Sequence, residues 1–277
     1  MHRQEIGAGM RRYELLVVFG FAIATSLAGS CIRSLAQDFM APPGVPADAF
    51  PKPKRPVADI ISPIWHSEEE RDAAGEPRQL VRLLGIKAGM TVADIGAGSG
   101  YYVARLAPIV GERGLVIAED VMPEYLQSLR DRVRNSELHN VVVAPGEPHD
   151  PRLPAHTVDI AILVHMYHEI MQPYGLHYNL APALKSGGRV GIVDAIGPTA
   201  EHGTPPKLLR CELAAVGYHE ISFHPLSGSD AYLAIFAPPD DQNRPRPDAI
   251  NACVRYPPGS AVFIWSLLVR QARRAAR

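Results

Sequence analysis

Two short stretches of the chain carry residue types that could do chemistry. The first is Val92-Ala93-Asp94-Ile95-Gly96-Ala97-Gly98-Ser99-Gly100, where an apolar run passes straight into three alternate glycines. Glycine lets a backbone turn sharply and approach a ligand, and a helix starting there offers free N–H groups to an anion. The spacing is G-x-G-x-G, one residue short of the G-x-G-x-x-G that cradles a dinucleotide pyrophosphate. Asp94 stands two positions before the first glycine. Negative charge there gains nothing against a pyrophosphate and favours a ligand that carries an ammonium group. The second stretch is His165-Met166-Tyr167-His168-Glu169. A histidine can take a proton from a hydroxyl or amine near neutral pH, which makes His165 and His168 the candidate catalytic residues. The plainer alternative is that either one only hydrogen-bonds neighbouring backbone.

Residues so far apart in the chain need a scaffold to bring them together. Short runs rich in β-branched residues predict strands over Thr91–Ile95, Leu115–Ala118, Asn140–Val143, Val158–Val164, Arg189–Val193, Ile221–Phe223 and Ala231–Phe236. Helical patterns occupy Pro77–Leu84, Tyr101–Val110, Glu124–Asn135, Tyr174–Leu184 and Lys207–Val216. This alternation implies an α/β protein with a mostly parallel sheet and helices on both faces. Only Pro225–Asp230 joins the last two strands, too short for a crossover helix, so that pair should be antiparallel. In such a sheet the carboxyl ends of the strands border one crevice, where the glycine turn and the histidine cluster would both lie.

Asp94-Ile-Gly96-Ala-Gly98-Ser-Gly100 resembles the first motif of the class I S-adenosylmethionine-dependent methyltransferases. The resemblance continues through Ala118-Glu119-Asp120-Val-Met-Pro123, Gly146-Glu147, Leu153-Pro154…Val158-Asp159 and Leu184-Lys-Ser-Gly187-Gly188-Arg, and covers roughly residues 76–237. It implies a Rossmann-like three-layer α/β/α sandwich of seven strands in the order 3-2-1-4-5-7-6, the last antiparallel. It also implies S-adenosylmethionine as cofactor. Gly96, Ala97, Gly98 and Gly100 would then pass the backbone under the amino-acid part of the cofactor, with Asp94 orienting its ammonium group. Asp120, preferred over the adjacent Glu119, would accept both ribose hydroxyls, since one carboxylate can take two such bonds. Glu147 falls where an acid often meets the adenine amino group, although Pro148 departs from the residue that commonly follows. Arg71-Asp-Ala-Ala-Gly, Tyr167-His168-Glu169 and His202-Gly-Thr-Pro-Pro206 are similar to a group of exported bacterial predicted methyltransferases. The acceptor is expected to be a small molecule. The Asn/Asp-Pro-Pro-Tyr motif of nucleobase and glutamine methylation is absent.

Composition sets the outer bounds. The chain has 277 residues, and its net charge of −1 leaves no basic field for a generic nucleic-acid partner. Arg3, Arg11 and Arg12 precede the uncharged run Leu15–Gly29, and Ser34-Leu35-Ala36 follows, so residues 1–36 read as an export signal to the periplasm. An uncleaved membrane anchor is the alternative. Of the 26 prolines, seven fall in 42–63 and six in 238–258. Residues 37–64 therefore read as an extended linker or arm, 65–237 as the methyltransferase domain and 238–277 as a tail. In that tail the apolar run Ala261–Val269, followed by arginines, is a candidate for peripheral membrane contact. Trp65-His66 reads equally as a lid over the ligand or as packing. Three cysteines exclude a disulfide-built scaffold; Cys211 reads as a core residue, with pairing to Cys253 in an oxidising compartment left open. The many histidines show no two-His-plus-carboxylate spacing on a single helix, so no metal site is expected. Two further functional readings stand beside methyl transfer: an exported protein that keeps the fold for binding alone, and an NAD(P)-dependent oxidoreductase.

Overall fold

The computed structural model describes residues 40–60, 67–240 and 242–254. The export segment, Trp65-His66 and the apolar run at 261–269 lie outside them. Seven strands form one sheet: β1 Thr91–Ile95, β2 Leu115–Asp120, β3 Val141–Pro145, β4 Val158–Val164, β5 Leu184–Ala195, β6 His219–Pro225 and β7 Ala231–Ala237. Their spatial order is β3-β2-β1-β4-β5-β7-β6, with β7 antiparallel to both neighbours and the other pairs parallel. The helices are α1 Glu68–Ala73, α2 Glu76–Leu84, α3 Tyr101–Val110, α4 Pro123–Asn135, α5 Pro173–Leu180 and α6 Pro206–Ala215.

The period-two alternation of the strands explains the layering. Val92, Val116, Ala118, Ile160 and Ile162 point to one face, where Leu80 and Leu84 of α2, Val103 and Leu106 of α3 and Leu126 and Leu129 of α4 complete an apolar core. Ala93, Ile95, Ile117, Ala161 and Leu163 are on the opposite face and are equally buried. A strand buried on both faces reads as a continuous apolar run, and that is how these strands appear in the sequence.

β5 starts at Leu184, five residues before the expected Arg189. Val158 pairs with Leu184 but Ile160 pairs with Arg189, so Lys185–Gly188 bulge out, with Gly187 at φ +75°. The run Lys-Ser-Gly-Gly reads as a turn because it is an irregularity inside a strand. Helix α1 has no sequence counterpart, being a six-residue segment too short for a 3.6-residue period to show. Ser67 caps it by accepting from Glu70 N, and Glu68, Glu69 and Glu70 face the positive end of its dipole.

Both proline-rich flanks are held against the domain. Residues 41–60 are largely extended, as proline dictates. Gly44 N donates to Asp150 (2.7 Å), Asn179 Nδ2 donates to Val45 O (2.9 Å), and Phe50 is buried beside Tyr178. Arg55 enters the interior to pair with Glu212 of α6 at 3.0 Å, with both side chains almost fully buried. It also donates to the carbonyls of Tyr167, His168 and Ile170. At the other flank Arg244 donates to Tyr178 O, and Cys253 forms a disulfide with Cys211 of α6 across a Cα–Cα distance of 6.1 Å. Cys211 is thus a cross-link to the C-terminal flank rather than a simple core residue.

Candidate active site

A crevice of about 1070 Å³ opens at the carboxyl ends of β1, β2, β4 and β5. Asp94, Gly96, Ala97, Gly98, Asp120, Glu147, His165 and His168 all line it. Gly100 does not; it caps α3, and a Cβ there would come 2.9 Å from Leu129 Cδ2. Gly96 is required by conformation and by space, with φ +68° and Met166 Cε 2.9 Å from where a Cβ would stand. Above Gly98 nothing lies within 4 Å, which leaves the turn open to a ligand.

Three carboxyls crowd this end of the crevice. Asp120 accepts from Gly98 N and Met122 N, both at 2.8 Å, while Glu119 accepts from Gly96 N at 3.3 Å. Asp94 is buried and its Oδ2 has no partner among the described residues; nor has Glu119 Oε1. Burial pushes the Asp94 carboxyl up to about 7, against the pull of Arg71 and with the push of Asp120. Burial also drives Glu119 well above the usual carboxylate range and raises Asp120, the latter against its backbone donors. Three acids that resist ionising side by side form a site that gains from a cation. Glu119 is fixed by packing as well: a Cβ on Gly146 would fall 1.6 Å from Glu119 Oε1, so only glycine fits there. Glu147 stands at the rim, partly exposed, 3.8 Å from Arg152 and 3.9 Å from His149.

Beside the carboxyls lies Arg71 of α1, its guanidinium 4.1 Å from the Tyr101 ring centroid and 3.6 Å from Glu76. Its buried Nε has no partner among the described residues. A cation with a free donor in the same crevice suits an anionic group on the same ligand.

The histidine cluster is built from two acid-oriented pairs. His165 Nε2 lies 2.8 Å from Glu76 Oε2, and Glu76 also accepts from Tyr102 Oη at 2.7 Å. Burial works to raise the Glu76 carboxyl, but the His165 and Tyr102 hydrogen bonds and Arg71 outweigh it and hold it at about 2. His168 Nδ1 lies 3.0 Å from Asp194 Oδ1, and both groups are buried. That contact places the Nδ1 proton toward Asp194 and leaves the Nε2 lone pair for the crevice. His165 adopts φ 54°, uncommon for a non-glycine residue though histidine tolerates it better than most.

Sequence reasoning did not find Arg71, Glu76, Asp194, His202 or Arg55. Arg71 and His202 lie within runs that carried the narrower resemblance, which was their only signal. Glu76 and Asp194 look like an ordinary helix-start acid and strand-end acid until the fold sets histidines against them.

The protein-L-isoaspartate(D-aspartate) O-methyltransferase family model matches residues 77–150. A protein-L-isoaspartate O-methyltransferase of Methanothrix thermoacetophila is 31% identical over 106 residues, 37% of this chain and 50% of that protein. A ubiquinone/menaquinone biosynthesis C-methyltransferase of Citrobacter koseri is 24% identical over 160 residues, 53% of this chain and 64% of that protein. The chain thus spans half to two thirds of these relatives' lengths. Among solved structures, a SAM-dependent methyltransferase from Aquifex aeolicus superposes with a TM-score of 0.55 at 24% identity, covering 62% of this chain and 98% of that one. That likeness is one of fold. Strand order, glycine turn and the matched segment together define the class of fold: it is the Rossmann-like fold of the class I S-adenosylmethionine-dependent methyltransferases.

Proposed function

We propose that the protein binds S-adenosylmethionine in this crevice and methylates a small-molecule acceptor. The observation that carries the reading is the buried trio Asp94, Glu119 and Asp120 around the glycine turn, two of them with unpartnered oxygens. Such a site suits a ligand with an ammonium group and repels a pyrophosphate, which disfavours an NAD(P)-dependent oxidoreductase. Asp94 would meet the ammonium group and Arg71 the carboxylate of the cofactor's amino-acid part. Asp120 would exchange its bond to Gly98 N for the ribose hydroxyls, and Glu147 at the rim would meet the adenine amino group. The bound cofactor supplies a methyl group already activated on a sulfonium. The chain's own task is then to orient the acceptor, exclude water and take up a proton where one must leave. His168, held by Asp194, and His165, held by Glu76, present imidazoles for that purpose on the β4 side of the crevice.

The family-model match ends at residue 150, before β4, so it supports the cofactor half and leaves the acceptor open. The Cys211–Cys253 disulfide supports an oxidising compartment, in line with the export reading of residues 1–36. No helix among the described residues is long and apolar enough to cross a membrane. Methyl transfer is tested with methyl-labelled S-adenosylmethionine and a low-molecular-weight metabolite fraction. Label should move to a small molecule in the presence of the wild-type chain but not of Asp120→Ala. Cofactor binding without any transfer would instead favour the binding-only alternative. Fusing the first 40 residues to a phosphatase active only outside the cytoplasm tests location, and an inactive fusion would defeat export.

A further inference from the structure

The fold brings together three ligand-bearing side chains that lie far apart in the chain or on a turn of no recognised spacing. His168 and Glu169 occupy the single 3₁₀ turn Tyr167–Glu169 after β4, and His202 lies in the loop after β5. One ligand atom from each lies within 4.8 Å of the other two. His168 Nε2 is 3.7 Å from Glu169 Oε1, and the His168 and His202 rings meet edge to face at a centroid distance of 5.3 Å. All three residues line the crevice.

We propose that His168, Glu169 and His202 form a two-histidine, one-carboxylate site for a first-row divalent transition-metal ion at the acceptor side of the crevice. Metal–ligand bonds of about 2.0–2.2 Å need ligand atoms roughly 3 Å apart, so side-chain shifts of about an ångström close the site. The donor set suits Zn²⁺, Co²⁺ or Fe²⁺ and not Mg²⁺, which prefers an all-oxygen octahedron.

The surroundings are those of a built site. Metal-bound histidines usually give their second ring N–H to a carboxylate, and His168 does so to Asp194. The same Asp194 accepts from Thr204 Oγ1 at 2.6 Å, while Thr204 N donates to Ala195 O at 2.8 Å. One buried carboxylate therefore fixes both the His168 ring and the loop that carries His202. His202 Nδ1 is buried with no partner among the described residues, and His202 adopts φ 55°. Two carboxylates, Glu169 and Asp194, balance a divalent charge. Three protein ligands leave coordination positions free toward the crevice, where an acceptor hydroxyl or thiol could bind the ion and pass its proton to His165, the His168 Nε2 lone pair then being held by the ion. The acceptor would then be a molecule with a metal-binding oxygen or sulfur. That last step rests on the methyl-transfer reading; the ion site itself does not.

The test is titration of the tag-free, metal-stripped full chain with Co²⁺, followed by visible absorption and equilibrium dialysis. One equivalent should bind with the ligand-field bands of a four- or five-coordinate ion, Zn²⁺ should displace it and Mg²⁺ should not. His202→Ala and Glu169→Gln should each weaken binding by about 100-fold while the far-ultraviolet circular dichroism is unchanged. Asp194→Asn should weaken it roughly 10- to 100-fold with the bands retained, the mark of a positioning residue. Substoichiometric binding, or binding undiminished in His202→Ala, would overturn the proposal. His202→Ala should still bind S-adenosylmethionine and Asp120→Ala should still bind Co²⁺, so failure of the metal site and of the cofactor reading are separable.

Discussion

Replacing Asp94 by asparagine should push stability and cofactor binding in opposite directions. The carboxyl is fully buried, with one oxygen unpartnered among the described residues, and burial lifts it from 3.8 to about 7. An acid whose folded-state value is raised binds its proton more tightly folded than unfolded. Its contribution to stability therefore falls as pH rises from about 4 to 7 and is constant above that. Three units correspond to a penalty on the order of 4 kcal/mol at pH 8, absent at pH 4. The asparagine amide still needs a partner, at about 1–3 kcal/mol, so the net gain at pH 8 is about 1–3 kcal/mol. Chemical denaturation at pH 4 and pH 8 reads it directly. Binding should move the other way, because a hydrogen bond to a charged group is worth about 1.5–3 kcal/mol. Affinity for S-adenosylmethionine at pH 8 should drop roughly 10- to 100-fold. In the wild type, protonation of Asp94 should cost up to about 100-fold in affinity between pH 8 and pH 5, and the variant should lose that part of the profile, keeping only the dependence set by Glu119 and Asp120. A variant that is less stable at pH 8, or that binds the cofactor as tightly as wild type, would refute the assignment of Asp94 as a desolvated ammonium partner.

His177 supplies the opposite sign. It is buried between Tyr167 and Tyr218, and burial lowers it from 6.5 to about 3. Its neutral form is favoured in the fold, so stability should fall as pH drops from about 6.5 to 3; His177→Phe should flatten that limb in denaturation curves. Arg55→Ala leaves Glu212 buried without its partner and should cost about 3–5 kcal/mol, lowering the thermal midpoint by roughly 10 °C. Adding Glu212→Gln should recover part of that loss, and an additive double variant would count against the pair. The Cys211–Cys253 disulfide closes a sequence separation of 42 residues, so chain entropy gives it about 4 kcal/mol. Calorimetry with and without reductant should show the lower midpoint, while S-adenosylmethionine binding at moderate temperature is unchanged, since neither cysteine lines the crevice.

Much of the fold was legible because a buried parallel sheet writes itself as short apolar runs between amphipathic ones. β1, β4 and α3 have the bounds expected from sequence. Where the backbone departs from regularity the pattern fails, as at Lys185–Gly188 and in the short helix α1. The residues proposed for the cofactor side stand out in the sequence for a related reason: Asp94, the glycines and Asp120 lie in or just after β1 and β2, so local spacing brings them to notice. Those proposed for the acceptor side do not. His168 meets Asp194, and Glu169 lies beside His202, only because β4 and β5 are neighbours in the sheet; the resemblance implied that strand order, but no local spacing tells which side chains it sets against each other. The proline-rich flanks are a different case. Poverty in backbone donors keeps them out of helices and sheet, yet Arg55 and Cys253 tie them down through side chains.

Isothermal titration of the purified full chain with S-adenosylmethionine tests the central claim most directly. One equivalent should bind at pH 8, the affinity should collapse in Asp120→Ala, and NADH should not compete. Absence of binding at millimolar S-adenosylmethionine, or displacement by NADH, would contradict the reading of this crevice as a site for a cationic methyl donor.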